Sequence, residues 1–185
     1  MASIAPIDEN KLIELLKVKE TAHQAFKILV DKYTEPLYWQ IRKLVVNHDD
    51  TDDLLQNVFH KAWKNIHNFR GDAKLSTWLH KIAINESLNH LQQERQKREI
   101  TDETGDEYLL KNIEADPYFD GEAIDIALQK AIASLPEKQR LVFNMRYYDE
   151  MKYDEISEIL GTSVGALKAS YHHAVKKITQ CLGME

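Results

Sequence analysis

Cysteine is nearly missing: the 185-residue chain holds one, Cys181, so no internal disulfide and no cysteine-built zinc site can form. Such usage predicts a reducing compartment, the cytoplasm. Glycine and proline are scarce, six and four residues, which fits a helix-rich chain rather than a disordered one. Nowhere do about eighteen apolar residues follow one another. Met1 to Asn10 carries Asp8 and Glu9 and no apolar run of signal-peptide length. The expectation is a protein neither exported nor inserted in a membrane. Strand alternation, fixed-period repeats and low-complexity segments are absent too. So are the P-loop, H-E-x-x-H, the glycine-rich nucleotide loop and G-x-S-x-G. No enzyme is expected, and nothing asks for a metal or cofactor.

What is present is an ordinary soluble composition, 43% hydrophobic and 29% charged, enough for a packed core. The net charge of −6 is unevenly spread. Residues 1–95 hold 13 Lys/Arg and 13 Asp/Glu, residues 96–122 hold 3 and 9, and residues 123–185 hold 8 and 8. The whole deficit lies in the middle. Glu99 to Gly121 also breaks helical periodicity and contains Gly105, Pro117 and Gly121, so it reads as a linker. The predicted architecture is all-α: two small helical domains, 1–98 and 123–185, joined by an acidic flexible linker, 99–122. Each is near the lower size for a stable core and is expected to lean on a partner.

In the first domain Ala22, Ala25, Phe26, Leu29, Val30 and Tyr33 recur at three- and four-residue spacing, and Pro36 is expected to start a new helix through Leu37, Ile41, Leu44 and Val45. A third helix, capped by Asp49, Asp50 or Thr51, carries Leu54, Leu55, Val58, Phe59, Ala62, Trp63 and Ile66. A fourth runs from Leu75 through Trp78, Leu79, Ile82, Leu88 and Leu91. In the second domain Ile124 to Leu135 forms a helix ended by Pro136, which serves as the first-turn residue of Glu137 to Tyr148.

Tyr153 to Leu160, Gly161-Thr162-Ser163 and Val164 to about Gln180 then read as a short helix, a tight turn and a longer helix, with Gly161 in the left-handed position and Ser163 or Thr162 as cap. Val164, Leu167, Tyr171, Ala174 and Ile178 form the inward stripe of the last helix. Its other face carries Gly165, Ala166, Ala169, His172, His173 and Lys176, flanked by Lys168, Ser170 and Lys177. Small residues in the first turns let a helix backbone approach a major groove, and cations toward the C-terminal end reach phosphates. No acidic residue lies between Glu158 and Glu185, so the local field is basic. His172 and His173 point in adjacent directions, which does not suit one metal ion.

Together the halves resemble the extracytoplasmic-function group of bacterial sigma-70-type RNA polymerase sigma factors. The second conserved region resembles Asp52-Asp53-Leu54-Leu55-Gln56-Asn57-Val58-Phe59, Ala62-Trp63, Phe69-Arg70-Gly71, Ser76-Thr77-Trp78-Leu79 and Lys81-Ile82-Ala83 with Asn85. The fourth resembles Leu135-Pro136-Glu137-Lys138-Gln139-Arg140, Tyr153-Asp154-Glu155-Ile156, Ile159-Leu160-Gly161 and Ser163-Val164-Gly165 with Leu167-Lys168. The resemblance implies a factor that binds core RNA polymerase, reads a minus-35 duplex and melts the minus-10 element. It implies a polymerase interface at Asp52, Asp53, Gln56, Asn57 and Lys61. It implies minus-10 contacts from Arg70, Lys74, Ser76, Thr77, Lys81, Asn85 and Arg95. It implies minus-35 contacts from Ser163, Gly165, Ala166, Lys168, Ala169, Ser170, His172, His173 and Lys176. An anti-sigma factor is a further partner that the resemblance implies.

Two departures stand out. Gln92, Gln93 and Glu94 occupy a place where relatives often carry arginines, and Ala169-Ser170 replaces a common Ser-Arg pair. The alternative reading is a stand-alone dimeric helix-turn-helix regulator on a palindrome, which has no use for the Asp52 to Trp63 and Phe69 to Leu79 patterns. The charge map also raises the hypothesis that the acidic linker competes with DNA for the basic faces of the free protein.

Overall fold

A computed structural model describes residues 8–99 and 123–184. The expected linker, and the hypothesis resting on it, lie outside those residues apart from Glu99. Among the described residues there are eight α-helices, one 3-10 turn and no strand. The first group comprises α1 (Glu9–Lys17), α2 (Ala22–Val45), α3 (His48–Asn65) and α4 (Leu75–Glu99); the second comprises α5 (Ala123–Ala133), α6 (Glu137–Tyr147), α7 (Tyr153–Leu160) and α8 (Val164–Cys181).

Four local features differ from what the sequence predicts. Pro36 does not begin a helix; it lies inside α2. An interior proline costs about 3 kcal/mol. Yet Leu29, Tyr33, Leu37 and Ile41, spaced by four, are all buried along one stripe that runs straight through it, and burying Leu37 and Ile41 alone returns about 1.5–3 kcal/mol each. Burial outweighs the lost hydrogen bond. Second, α3 is capped by Asn47, whose side chain accepts from the Asp50 backbone N–H at 3.0 Å, so Asp49 and Asp50 sit in its first turn, where the helix dipole favours them. Third, α1 was not foreseen, although Leu12 and Leu16 are four apart and buried. Likewise Pro136 stands at the N-cap of α6, one place before the expected first turn.

Val46 closes α2 in the left-handed region at φ 62, its N–H reaching the Arg42 carbonyl at 2.9 Å. That conformation is rare for a β-branched residue and turns the chain into α3 within two positions. Phe26 packs on Trp63 at 4.8 Å and edge-on to Phe59 at 6.4 Å, so both aromatics of α3 serve the domain's own packing. Trp78 packs on Phe69 at 5.3 Å.

The two groups of helices share a core. Leu141, Val142, Met145, Met151, Ile156, Ile159 and Leu167 belong to the same buried cluster as Leu29, Leu37, Ile41, Leu75 and Leu79. A smaller cluster under α5, α6 and α8 holds Ile132, Leu135, Phe143, Ala174 and Ile178. Two halves too small to bury much apolar surface alone thus bury it on each other.

Candidate nucleic-acid and protein interfaces

The helix-turn-helix forms as its residues dictate. Gly161 ends α7 at φ 63, where a side chain would be strained, and Ser163 caps α8 by accepting from the Ala166 N–H at 3.4 Å. Leu167, Ala174 and Ile178 are buried and Tyr171 half-buried, stacked on Phe143 at 5.8 Å. This inward stripe leaves Ser163, Gly165, Ala166, Lys168, Ala169, His172, His173 and Lys176 exposed and Ser170 half-buried on the outer faces. The small residues make a low ridge in the first turns with cations beyond it, a form that fits a major groove. The His172 and His173 rings lie 6.0 Å apart and tilted by 60°.

On α3, Thr51, Leu54, Leu55, Val58 and Ala62 face inward. The opposite flank exposes Asp53, Gln56, Asn57 and Lys61, with Asp52 half-buried beside His48 at 3.6 Å. Lys61 also pairs with Glu86 of α4 at 2.5 Å. The flank is a row of acidic and amide groups at helical spacing, open to a basic partner.

The loop before α4 surrounds a cleft of about 640 Å³ lined by Glu9, Asn10, Ile13, Gly71 to Lys74, Thr77, Glu155 and Glu158. Gly71 adopts φ 83 there, which only glycine takes without strain. Glu9 of α1 accepts the Leu75 N–H at 2.5 Å and so fixes the first turn of α4. Of the residues expected at this surface, Arg70, Lys74, Lys81, Asn85 and Arg95 are exposed and Ser76 half-buried. Thr77 is 6% exposed and forms part of the cleft wall. Farther along α4, Glu94 pairs with Lys97 at 2.6 Å.

Sequence reasoning missed what lies between the halves, because its partners are about a hundred positions apart. Asp149 accepts from Lys43 at 2.8 Å and from Gln40 at 3.4 Å; the Asn144 amide donates to the Lys43 carbonyl at 3.2 Å. His80 of α4 bonds the Gln40 side-chain oxygen at 2.9 Å. Outside these, Lys74 donates to Glu155 at 3.0 Å. Glu155 is held below the usual carboxylate range, first by the Lys152 backbone N–H and then by Lys74, whose own ammonium is raised by the same pair.

Burial pushes the His80 imidazole below its ordinary range, against the opposing pull of Asp149 and Glu155; Lys43 and Glu35 line the same cleft. A depressed value means the packed protein binds this proton less readily than an opened or unfolded one. Packing is therefore strongest above about pH 6.5 and weakens as the pH falls through the depressed value. A melting series from pH 8 to pH 5.5 is expected to show falling stability, with a smaller fall in His80→Gln. An identical pH slope in that variant would show that His80 does not contribute.

No described helix is long and apolar enough to cross a membrane. Comparison with known proteins agrees with both halves. The family model for Sigma-70 region 2 matches residues 29–97, and that for Sigma-70 region 4 matches residues 125–178. The ECF RNA polymerase sigma factor SigW of Bacillus subtilis is 31% identical over 164 residues, spanning 84% of this chain and 88% of that protein. The RNA polymerase sigma-H factor of Pseudomonas aeruginosa is 28% identical over 182 residues, spanning 94% and 93%. Among solved structures, the sigma factor RpoE in complex with the anti-sigma factor NepR from Bartonella quintana has a TM-score of 0.67 at 22% identity, covering 86% of this chain and 98% of that one, a likeness of fold.

Proposed function

Since the chain belongs to the sigma-70 family, in its extracytoplasmic-function branch, and is an RNA polymerase sigma factor, we propose how its surfaces divide that work. The units are residues 1–98, the linker 99–122 and residues 123–185. The flank of α3 at Asp52, Asp53, Gln56, Asn57 and Lys61 docks on core polymerase. The loop and α4, through Arg70, Lys74, Ser76, Thr77, Lys81, Asn85 and Arg95, hold the melted minus-10 strand. A cationic path beside a cleft suits a single strand with one unstacked base. The outer face of α8, from Ser163 and Gly165 to Lys176, lies in the minus-35 major groove. The protein works in the cytoplasm, has no catalytic activity of its own, and is held in check by an anti-sigma factor; the similar sigma factor RpoE is seen in complex with the anti-sigma factor NepR.

The observation that carries this reading is the exposed ridge of Gly165, Ala166 and Ala169 on a buttressed helix, with Lys168 and Lys176 at its sides. A stand-alone dimeric regulator is not favoured, because region 2 occupies the first half. Two lysines on phosphates contribute affinity without sequence preference. Lys168→Ala with Lys176→Ala, tested as holoenzyme on promoter duplex, is expected to weaken binding uniformly across sequences and to lower the salt slope by about 2. An unchanged slope would remove these lysines from the DNA interface.

A further inference from the structure

Within the first four helices, α4 starts without a cap of its own. Lys74 stands at its cap position, since the Lys74 carbonyl accepts the first helical bond from the Trp78 N–H at 3.1 Å, and a lysine side chain offers no acceptor. Leu75 follows, fully buried, so its N–H cannot turn to water and needs an acceptor within the protein. Glu9 supplies it from 66 positions away, its Oε1 accepting the Leu75 N–H at 2.5 Å. The carboxylate also meets the positive end of the α4 dipole. Leu12 and Leu16, both buried, seat α1 and so hold Glu9 in place.

The loop from Phe69 to Leu75 is thereby pinned at both ends. Phe69 is buried and packs on Trp78 at 5.3 Å, while Leu75 is held by Glu9. Between them Arg70, Gly71, Asp72 and Lys74 stand exposed. The cleft of about 640 Å³ opens at this loop, and Glu9, Asn10 and Ile13 bring α1 to its wall. The match to Sigma-70 region 2 begins at residue 29, so α1 lies outside it. Resting on the assignment of the loop and α4 to the melted minus-10 strand, we propose that Glu9 is a positioning residue for strand reading. It caps α4 from α1 and holds the 69–75 loop in the shape that receives an unstacked base. A loop fixed at both ends meets the base already ordered, whereas a loop free at one end must order itself on binding and gives up affinity.

The test uses holoenzyme assembled from core polymerase and the full chain. Its probes are fluorescent single strands carrying the non-template minus-10 element of a promoter selected with this holoenzyme, either intact or with one base removed at each position in turn. Glu9→Ala and Glu9→Met remove the acceptor, and Glu9→Gln keeps it. Loss of one cap takes only a small part of a domain's stability, and circular dichroism and melting verify the fold. With the wild type, removing one base of the element is expected to weaken binding about tenfold, the order that a captured base contributes. The alanine and methionine variants should bind the intact strand about fivefold more weakly and the strand lacking that base as the wild type does, so the penalty shrinks to about twofold. The glutamine variant should keep the tenfold penalty. Unchanged binding, or equal weakening on both strands, would overturn the proposal and leave Glu9 a support of the fold alone. Loss of the penalty in glutamine as well would assign the effect to the charge of the carboxylate and overturn the cap. A wild type with no penalty at any position would remove the base-holding role from the loop itself, and the proposal with it.

Discussion

Asp53→Arg combined with Gln56→Arg is expected to abolish polymerase-dependent transcription while leaving the fold intact. Both side chains lie on the exposed flank of α3, one turn apart, and neither touches the inward row of Leu54, Leu55 and Val58. Exposed substitutions away from packing change stability by about ±0.5 kcal/mol. At an interface, a central residue is worth about 2 kcal/mol or more, and like charges set face to face cost several more. Two arginines presented to a basic surface should therefore weaken docking by at least about a hundredfold. Pull-down with core polymerase and transcription in vitro check this, with circular dichroism as control. Wild-type activity in a folded variant would move the polymerase interface off this flank.

Leu79→Ala is expected to produce the largest loss of stability. Leu79 is 0% exposed and lies on α4 one turn beyond Leu75 and one before Ala83, both also fully buried. It belongs to the buried cluster that runs from the first four helices into the second half. Removing such a side chain costs about 2–5 kcal/mol through lost transfer energy and an unfilled cavity. That is a large part of the roughly 5–15 kcal/mol that holds a domain together. Roughly 4–20 °C should be lost from the melting temperature. Val18→Ala, at a half-exposed site in the turn after α1, should move it little. Equal melting of the two variants would contradict the shared core.

Much of the fold was legible because it is written in local spacing. The last helix shows this best: Val164, Leu167, Tyr171, Ala174 and Ile178 repeat every three or four residues, and Gly161 and Ser163 mark the turn with residues that have few substitutes there. The errors fall where a local rule met a longer-range force. Pro36 signals a helix start, but the unbroken stripe from Leu29 to Ile41 outweighs it. Asp49 and Asp50 are good caps, yet Asn47 takes the role because Val46 has already turned the chain. α1 is short and marginal alone, and it is secured by burying Leu12 and Leu16 and by Glu9 gripping the start of α4. The exposed faces of α3 and α8 could be read as surfaces from the apolar positions opposite them. The packing between the halves could not, since nothing near Lys43 in sequence announces Asp149, and nothing near Lys74 announces Glu155.

The most direct measurement of the central claim is transcription in vitro by purified core RNA polymerase over a promoter library, with and without this chain. The account predicts a set of transcripts that appear only when the chain is added, initiating downstream of a shared pair of elements, and co-purification of the chain with core polymerase. No chain-dependent transcript and no co-purification, with tight binding of double-stranded palindromes by the protein alone, would contradict it.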